Sequence, residues 1–478
     1  MSADIAIIGL GVMGRNIALN LADQGHRVAV YNRSRGKLDN MMHQVTKPQH
    51  VHALDELSQL REVLSAPRKV FLMLTAGPAV DSVIEQLIRI LEPGDIIIDG
   101  GNSNFHDTQR RYESLKTLGF GFLGVGISGG EEGARHGPSI MPGGDAEAWP
   151  LVQPLLQSIA ATTEDGEVCC QWVGDGGAGH YVKMIHNGIE YGDMQLIAES
   201  WQLLQATGAD DELIANTFTS WNQGPLESYL IEISADILRL RDADGELRVR
   251  RIVDSAGQKG TGRWTVVDSL QLGAPLTLIA EAVYARMLSA YRDERQIAAD
   301  QLRSGESAFD GDIDQAIADA QDALYAAKII SYTQGFMQMR LAASEYGWQL
   351  AYGNIALLWR AGCIIRSRFL QDIKRAFDRQ PDLKNLLLDD FFKNAIKAAE
   401  AGWRRSCTLA IELAVAMPSM TSALSFYDGY RSATLPASLL QAQRDYFGAH
   451  TYQRVDQPAD MHFHTHWSGD GREERSDD

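Results

Sequence analysis

From residue 4 to about 145, short runs of aliphatic and β-branched residues alternate with longer amphipathic stretches. The runs are DIAIIG (4–9), RVAVY (27–31), KVFLML (69–74), DIIIDG (95–100) and FGFLGVG (120–126). Runs of this length separated by helical periodicity predict a mostly parallel α/β sheet, because parallel strands are covered on both faces and need a crossover between them. Past the glycine-rich GDGGAG (174–179) the pattern changes to long helical periodicity, which continues to about residue 430. The expected organisation is an α/β domain over 1–176, a large all-α domain over 177–430 and a C-terminal segment over 431–478. The final SGDGREERSDD has almost no apolar content and is expected to be disordered.

One helical stretch breaks the usual pattern. In GHYVKMIHNGIEYGDMQ (179–195), Lys183, His186, Asn187, Glu190 and Tyr191 stand at i, i+3, i+4, i+7 and i+8. Soluble helices normally place their apolar face at that spacing. A solvated polar face explains Lys183 and Glu190 taken as a pair. It explains less well why a histidine, an asparagine and a tyrosine share the stripe while Val182, Ile185 and Ile189 lie elsewhere. Gly188 and Gly192 leave room for a neighbouring helix. GDMQLIAES (192–200) is echoed by GFMQMRLAAS (335–344), and each is followed by a tryptophan near a glycine. That faint repeat suggests an internal duplication in which one copy alone carries the polar stripe.

Composition narrows the class. The 478 residues exceed one ordinary domain, and a 45% hydrophobic fraction is that of a globular chain. Cys169, Cys170, Cys363 and Cys407 have no metal-type spacing, so neither a zinc site nor a disulfide framework is implied and a reduced compartment is expected. The amino terminus has no basic stretch ahead of its apolar run, and no apolar run approaches the ~20 residues a bilayer requires, so a cytoplasmic location is expected. A net charge of −18 argues against nucleic acid as the main partner. An anionic ligand would need a local basic pocket.

GLGVMG, residues Gly9, Leu10, Gly11, Val12, Met13 and Gly14, follows a strand and opens a helix. In that setting the glycines allow a tight turn, close approach to a pyrophosphate and helix-on-strand packing, the signature of a Rossmann-type dinucleotide site. About 20 residues on, where NAD enzymes place an acid on the ribose 2′-hydroxyl, the chain has Asn32, Arg33 and Ser34. A guanidinium there suits a 2′-phosphate, which predicts NADP over NAD. Leu74, Thr75 and Ala76, after the KVFLML strand, and Asn102, in DGGNSN, lie at the carboxyl edge where open α/β sheets bind ligands.

Ser128, Gly129 and Gly130 form a turn whose exposed N–H groups suit an oxyanion or carboxylate, although a plain turn would have the same residues. Lys259, in the glycine-bracketed QKGTGRW, and Arg286, Arg444 and His450 supply cations suited to a phosphate. Each taken singly reads more readily as a surface charge.

Several of these motifs together carry a family resemblance: KGTGRW (259–264), SGGEEGA, GPSIMPGG, the striped GHYVKMIHNGIEYGDMQ and QAQRDYFGAHTY (441–452). Over residues 3 to about 467 the chain resembles the decarboxylating 6-phosphogluconate dehydrogenases, within the β-hydroxyacid dehydrogenase superfamily. The resemblance implies metal-independent oxidation of 6-phosphogluconate by NADP, with loss of CO2 to give ribulose 5-phosphate, as in the oxidative pentose phosphate pathway. It implies Lys183 as general base and Glu190 as general acid. Asn102, Ser128, Gly129, Gly130, His186 and Asn187 would hold the carboxylate and hydroxyls, and Tyr191, Lys259 and Arg286 the phosphate end. Arg444 and His450 would come from the other subunit of a homodimer. Two departures stand out: MLTAG has Thr75 where the family often has lysine, and Gly11 stands where most relatives have alanine. Two rival readings are a related dehydrogenase of unphosphorylated hydroxy acids and a catalytically silent NADP-binding scaffold.

Overall fold

The computed structural model describes residues 2–302 and 308–476. The chain divides into two compact units, Met1–Ala423 and Leu424–Asp478. In the first, eight strands form one sheet: β1 (Ile5–Ile8), β2 (Val28–Tyr31), β3 (Val51–Ala53), β4 (Lys69–Leu72), β5 (Ile96–Asp99), β6 (Gly121–Ser128), β7 (Ser139–Gly144) and β8 (Gly174–Asp175). Their order is β3-β2-β1-β4-β5-β6-β7-β8. The pairings from β3 through β6 are parallel, and β7 reverses against β6. This is the Rossmann-type order, with a topological switch point between β1 and β4. Ile5 and Ile7 pack into one apolar layer, Ala6 and Ile8 into the other, so β1 is covered on both faces as a central parallel strand must be.

The helix Ala178–Ala206 follows β8 directly and packs on β6 and β7 at van der Waals range. A Cβ on Gly126 would lie 2.4 Å from the Lys183 Cβ, and one on Gly179 would lie 2.3 Å from the Gly124 carbonyl oxygen. These close contacts at glycine make sheet and helices one compact unit although the hydrophobic pattern changes character at residue 177. The helix also packs against a second long one, Ile313–Tyr346, and against Thr261–Leu272 and Thr277–Ser289. The two echoing segments, 192–200 and 335–344, lie on the two long helices. No helix among the described residues is long and apolar enough to cross a membrane.

In the second unit, the helix Ala437–Gly448 leads to a hairpin of β9 (His462–Thr465) and β10 (Glu473–Ser476). This corrects the expectation of disorder after residue 467 as far as Ser476. The turn is made by Gly471 in the left-handed region, and pairing is held by polar contacts that apolar content does not register, Tyr452 and Arg454 both donating to Glu473. Residues 477 and 478, also expected to be disordered, lie outside the described residues.

Candidate active site

The glycine loop sits at the switch point. Gly9 has φ 98°, and a Cβ there would lie 2.4 Å from the Met73 carbonyl oxygen; one on Gly14 would lie 2.0 Å from the Gly9 carbonyl oxygen. These two are required by the packing of loop on strand. A Cβ on Gly11 meets nothing within 4 Å, so alanine at that position has room. Gly11 caps the helix Val12–Asp23, and the first N–H groups of a helix suit an anion. The Leu10 N–H donates to Asn32 Oδ1 at 2.9 Å, and Asn32 Nδ2 donates to the Ser34 carbonyl at 2.9 Å, so Asn32 ties the loop to the end of β2. Arg33 and Ser34 are exposed beside it. Arg35 is drawn off into ion pairs with Asp39 and Asp55. Leu74 packs at Gly9, and Thr75 is exposed at the end of β4 with Ala76 following it.

Asn102 is exposed in the turn after β5, and the turn is held from beneath. Asp99 accepts from the Ser103 hydroxyl at 2.6 Å, from the Gly101 N–H at 3.1 Å and from Arg111 at 3.2 Å. Arg111 also grips Asp81 at 2.8 and 3.0 Å and holds that carboxyl down to about 2. Neither Asp99 nor Arg111 stood out in the sequence, since a DGG turn and one arginine in a helix are unremarkable without the fold.

The stripe lies at the end of β6. Lys183, His186, Asn187 and Tyr191 are buried, which excludes a solvated polar face, while Glu190 remains partly exposed. Lys183 Nζ contacts His186 Nδ1 at 3.2 Å, and no ion pair joins it to Glu190. Burial lowers its pKa, although Glu190 and Cys363 oppose the shift. Burial raises the pKa of Glu190 against the pull of Lys183 and Arg286. His186 is held well below its ordinary value by burial and by Lys183, so it is neutral and has one N–H to share. Its Nδ1 lies 3.0 Å from Asn187 Oδ1, and its Nε2 lies 3.0 Å from Ser128 Oγ and 2.8 Å from Cys363 Sγ.

Ser128 ends β6, and its Oγ also accepts from the Ile364 N–H at 3.3 Å. Gly129 and Gly130 continue the turn with φ 126° and 62°; a Cβ on Gly129 would lie 2.6 Å from the Gly362 carbonyl oxygen. Only glycine therefore lets the two loops touch. The segment Gly362–Ile364 was missed by the sequence reading: burial pushes the Cys363 thiol up to about 11, so it stays protonated beside His186. The available signal was the position of Gly362 just after Trp359, in the second half of the repeat.

At the far end of the stripe, a Cβ on Gly188 would lie 2.7 Å from Thr265 Cγ2, and one on Gly262 would lie 2.5 Å from the Tyr191 ring. These contacts seat the Thr261–Leu272 helix on the stripe and bring the exposed Lys259 and the left-handed Gly260 to its start. Arg286 lies 3.5 Å over the Tyr191 ring and donates to the Gly257 carbonyl at 3.2 Å. The helix thus carries a buried lysine and a partly exposed carboxyl, with the serine-glycine turn against His186 and two cations beside or near Tyr191. In the second unit, Arg444 is exposed on the Ala437–Gly448 helix, with Gln441 Oε1 3.1 Å away, and His450 is exposed in the turn that follows.

Known proteins match this chain along nearly its whole length. Residues 4–174 match the NAD binding domain of 6-phosphogluconate dehydrogenase, and residues 179–467 match the 6-phosphogluconate dehydrogenase C-terminal domain. The chain is 53% identical over 471 residues to the decarboxylating 6-phosphogluconate dehydrogenase of Homo sapiens, covering 98% of this chain and 97% of the relative. It is 52% identical over 480 residues to the decarboxylating enzyme 1 of Saccharomyces cerevisiae, covering 98% of each. A solved 6-phosphogluconate dehydrogenase of Plasmodium falciparum, studied as apoenzyme and with NADP+ or 6-phosphogluconate, superposes with a TM-score of 0.93 at 39% identity, over 97% of this chain and 100% of that one. The chain therefore belongs to the family of decarboxylating 6-phosphogluconate dehydrogenases.

Proposed function

We propose that this protein oxidises 6-phosphogluconate at C3 with NADP and releases CO2, leaving ribulose 5-phosphate and NADPH. The observation that carries the reading is Lys183: a buried amine with no carboxylate at hydrogen-bond distance among the described residues, in a chain that also carries a dinucleotide loop at the switch point of its sheet. The cofactor fits the residues present. Open space at Gly11 and the helix start behind it suit the pyrophosphate, and exposed Arg33 and Ser34 suit a 2′-phosphate. Thr75 stands at the same edge with no charge to add. NADP, when bound, supplies the hydride acceptor.

The remaining chemistry falls to the chain. Lys183, favoured neutral by burial, takes the proton of the C3 hydroxyl as that carbon loses hydride. The product is a β-keto acid. Its C1–C2 bond breaks, CO2 leaves, and the electron pair passes into an enediol as Lys183 returns its proton to the carbonyl oxygen. Glu190, favoured protonated by burial, then protonates the carbon that has lost CO2. Ser128, Gly129, Gly130, Asn102, His186 and Asn187 hold the carboxylate and hydroxyls. Tyr191, Lys259 and Arg286 hold the phosphate, joined by Arg444 and His450 from the other subunit of a homodimer. The working compartment is the cytoplasm.

A coupled assay tests the reading. Purified protein should form NADPH and CO2 in equal amounts from 6-phosphogluconate, and gluconate should be turned over far more poorly. Equal turnover of both acids would move the protein to another β-hydroxyacid substrate, and no substrate-dependent NADPH would leave it a binding scaffold.

A further inference from the structure

The second unit holds its proposed phosphate ligands in an unfavourable piece of backbone. Ala449 has φ 49° and Thr451 φ 56°, both in the left-handed region that non-glycine residues avoid, and His450 lies between them. A β-branched residue persists there only where its surroundings hold it. The surroundings are centred on Asp445, next to Arg444 and fully buried on an otherwise largely exposed helix. Asp445 Oδ1 accepts from the Thr451 N–H at 3.0 Å and lies 2.9 Å from His464 Nδ1. Its Oδ2 accepts from the Thr465 N–H at 3.0 Å and from Trp467 Nε1 at 2.7 Å. Asp445 thus joins the strained turn to β9. That strand is in turn paired by β10, which lies beyond residue 467, where the match to the family model ends. Glu473 of β10 accepts from the Tyr452 hydroxyl at 2.6 Å and from Arg454 at 2.7 Å, reaching back to the residue after Thr451.

We propose that the β9–β10 hairpin is a clasp, with Asp445 and Glu473 as positioning residues, which keeps Arg444 and His450 preformed as a pair for the substrate phosphate. The proposal rests on the reading that these two residues bind the phosphate end. Preorganisation then removes an ordering cost from substrate binding and leaves the chemical step untouched.

The test uses the full-length enzyme, Glu473→Gln, a variant ending at Ser468, and Arg444→Ala with His450→Ala as reference. Both clasp variants should raise the KM for 6-phosphogluconate by about tenfold, the scale of weakening a contact to a charged group. Their kcat, KM for NADP and oligomeric state should stay within about twofold, and their slow turnover of gluconate, which has no phosphate, should not change. An unaltered 6-phosphogluconate KM in the clasp variants, with a raised one in the reference variant, overturns the clasp alone. An unaltered KM in the reference variant overturns the phosphate assignment. A fall in kcat or loss of assembly in the clasp variants makes the hairpin a general structural element and also overturns the proposal.

Discussion

Two lysines are buried in the same helical layer, and their partners set them apart. Lys328, on the Ile313–Tyr346 helix, is fully buried, and its Nζ lies 2.6 Å from Asp193 Oδ2, itself 1% exposed. Lys183, on the Ala178–Ala206 helix, is 6% exposed and among the described residues reaches only the neutral His186. An ammonium taken from water is costly unless a carboxylate stands against it. Lys328 has that carboxylate and serves as one half of a structural ion pair between the two long helices. Lys183 lacks it, so burial works against its charge and leaves an amine able to take a proton. The same residue type at nearly the same depth is a cross-brace in one place and, on the proposed mechanism, a base in the other.

Replacing each lysine by methionine separates the two roles, and the larger effect is expected at Lys183. Lys183→Met should lower kcat by ~10²- to 10⁴-fold, the contribution of a positioned acid-base group. It should leave the melting temperature unchanged or higher, because no buried carboxylate loses its partner. Turnover near that of the parent enzyme would remove Lys183 from the mechanism. Lys328→Met should do the reverse and cost about 3–5 kcal/mol of stability by leaving Asp193 buried and unpaired. Adding Asp193→Leu should recover most of that loss in urea titrations. If the single variant is as stable as the parent, the pair is not a brace and the contrast fails.

The stripe was legible in the sequence because five chemistry-bearing side chains occupied positions where helices place leucine. The dinucleotide loop was legible because strand, GLGVMG and helix came in order. The contacts around them were not. Cys363 lies 177 residues from His186, and nothing local announces that the two will meet. Gly126, Gly179 and Gly262 look like ordinary glycines until the Lys183 Cβ, the Gly124 carbonyl and the Tyr191 ring are seen against them. The same contacts join sheet and helices into one unit, although the periodicity changes sharply at residue 177. The hairpin past residue 467 was misread because its order comes from a turn and from hydrogen bonds to Glu473, which apolar content cannot register.

The smallest effect is also the most selective, since it reports the proton on Lys183 without any substrate. Burial depresses the folded-state pKa of Lys183 below the ordinary 10.5. Between the folded value and 10.5 the unfolded chain binds the extra proton, so stability rises with pH, by at most about 1.4 kcal/mol per pH unit. Stability from this group is fully present above 10.5 and is lost as pH falls through the folded value. Lys183→Met has no such group. Its stability advantage over the parent should therefore be greatest at the low end of that window and shrink as pH is raised toward 10. Glu190 contributes with the opposite sign: its folded pKa is raised, so its stabilisation is present below the ordinary 4.5 and fades as pH climbs through the folded value. Because Glu190 is present in both proteins, most of its contribution cancels in the difference. The Lys328→Met/Asp193→Leu protein keeps Lys183 and should follow the slope of the parent. A gap between Lys183→Met and the parent that stays constant from pH 7 to 10 would mean that Lys183 enters the folded protein with its proton affinity intact, and the distinction between brace and base would lose its electrostatic footing.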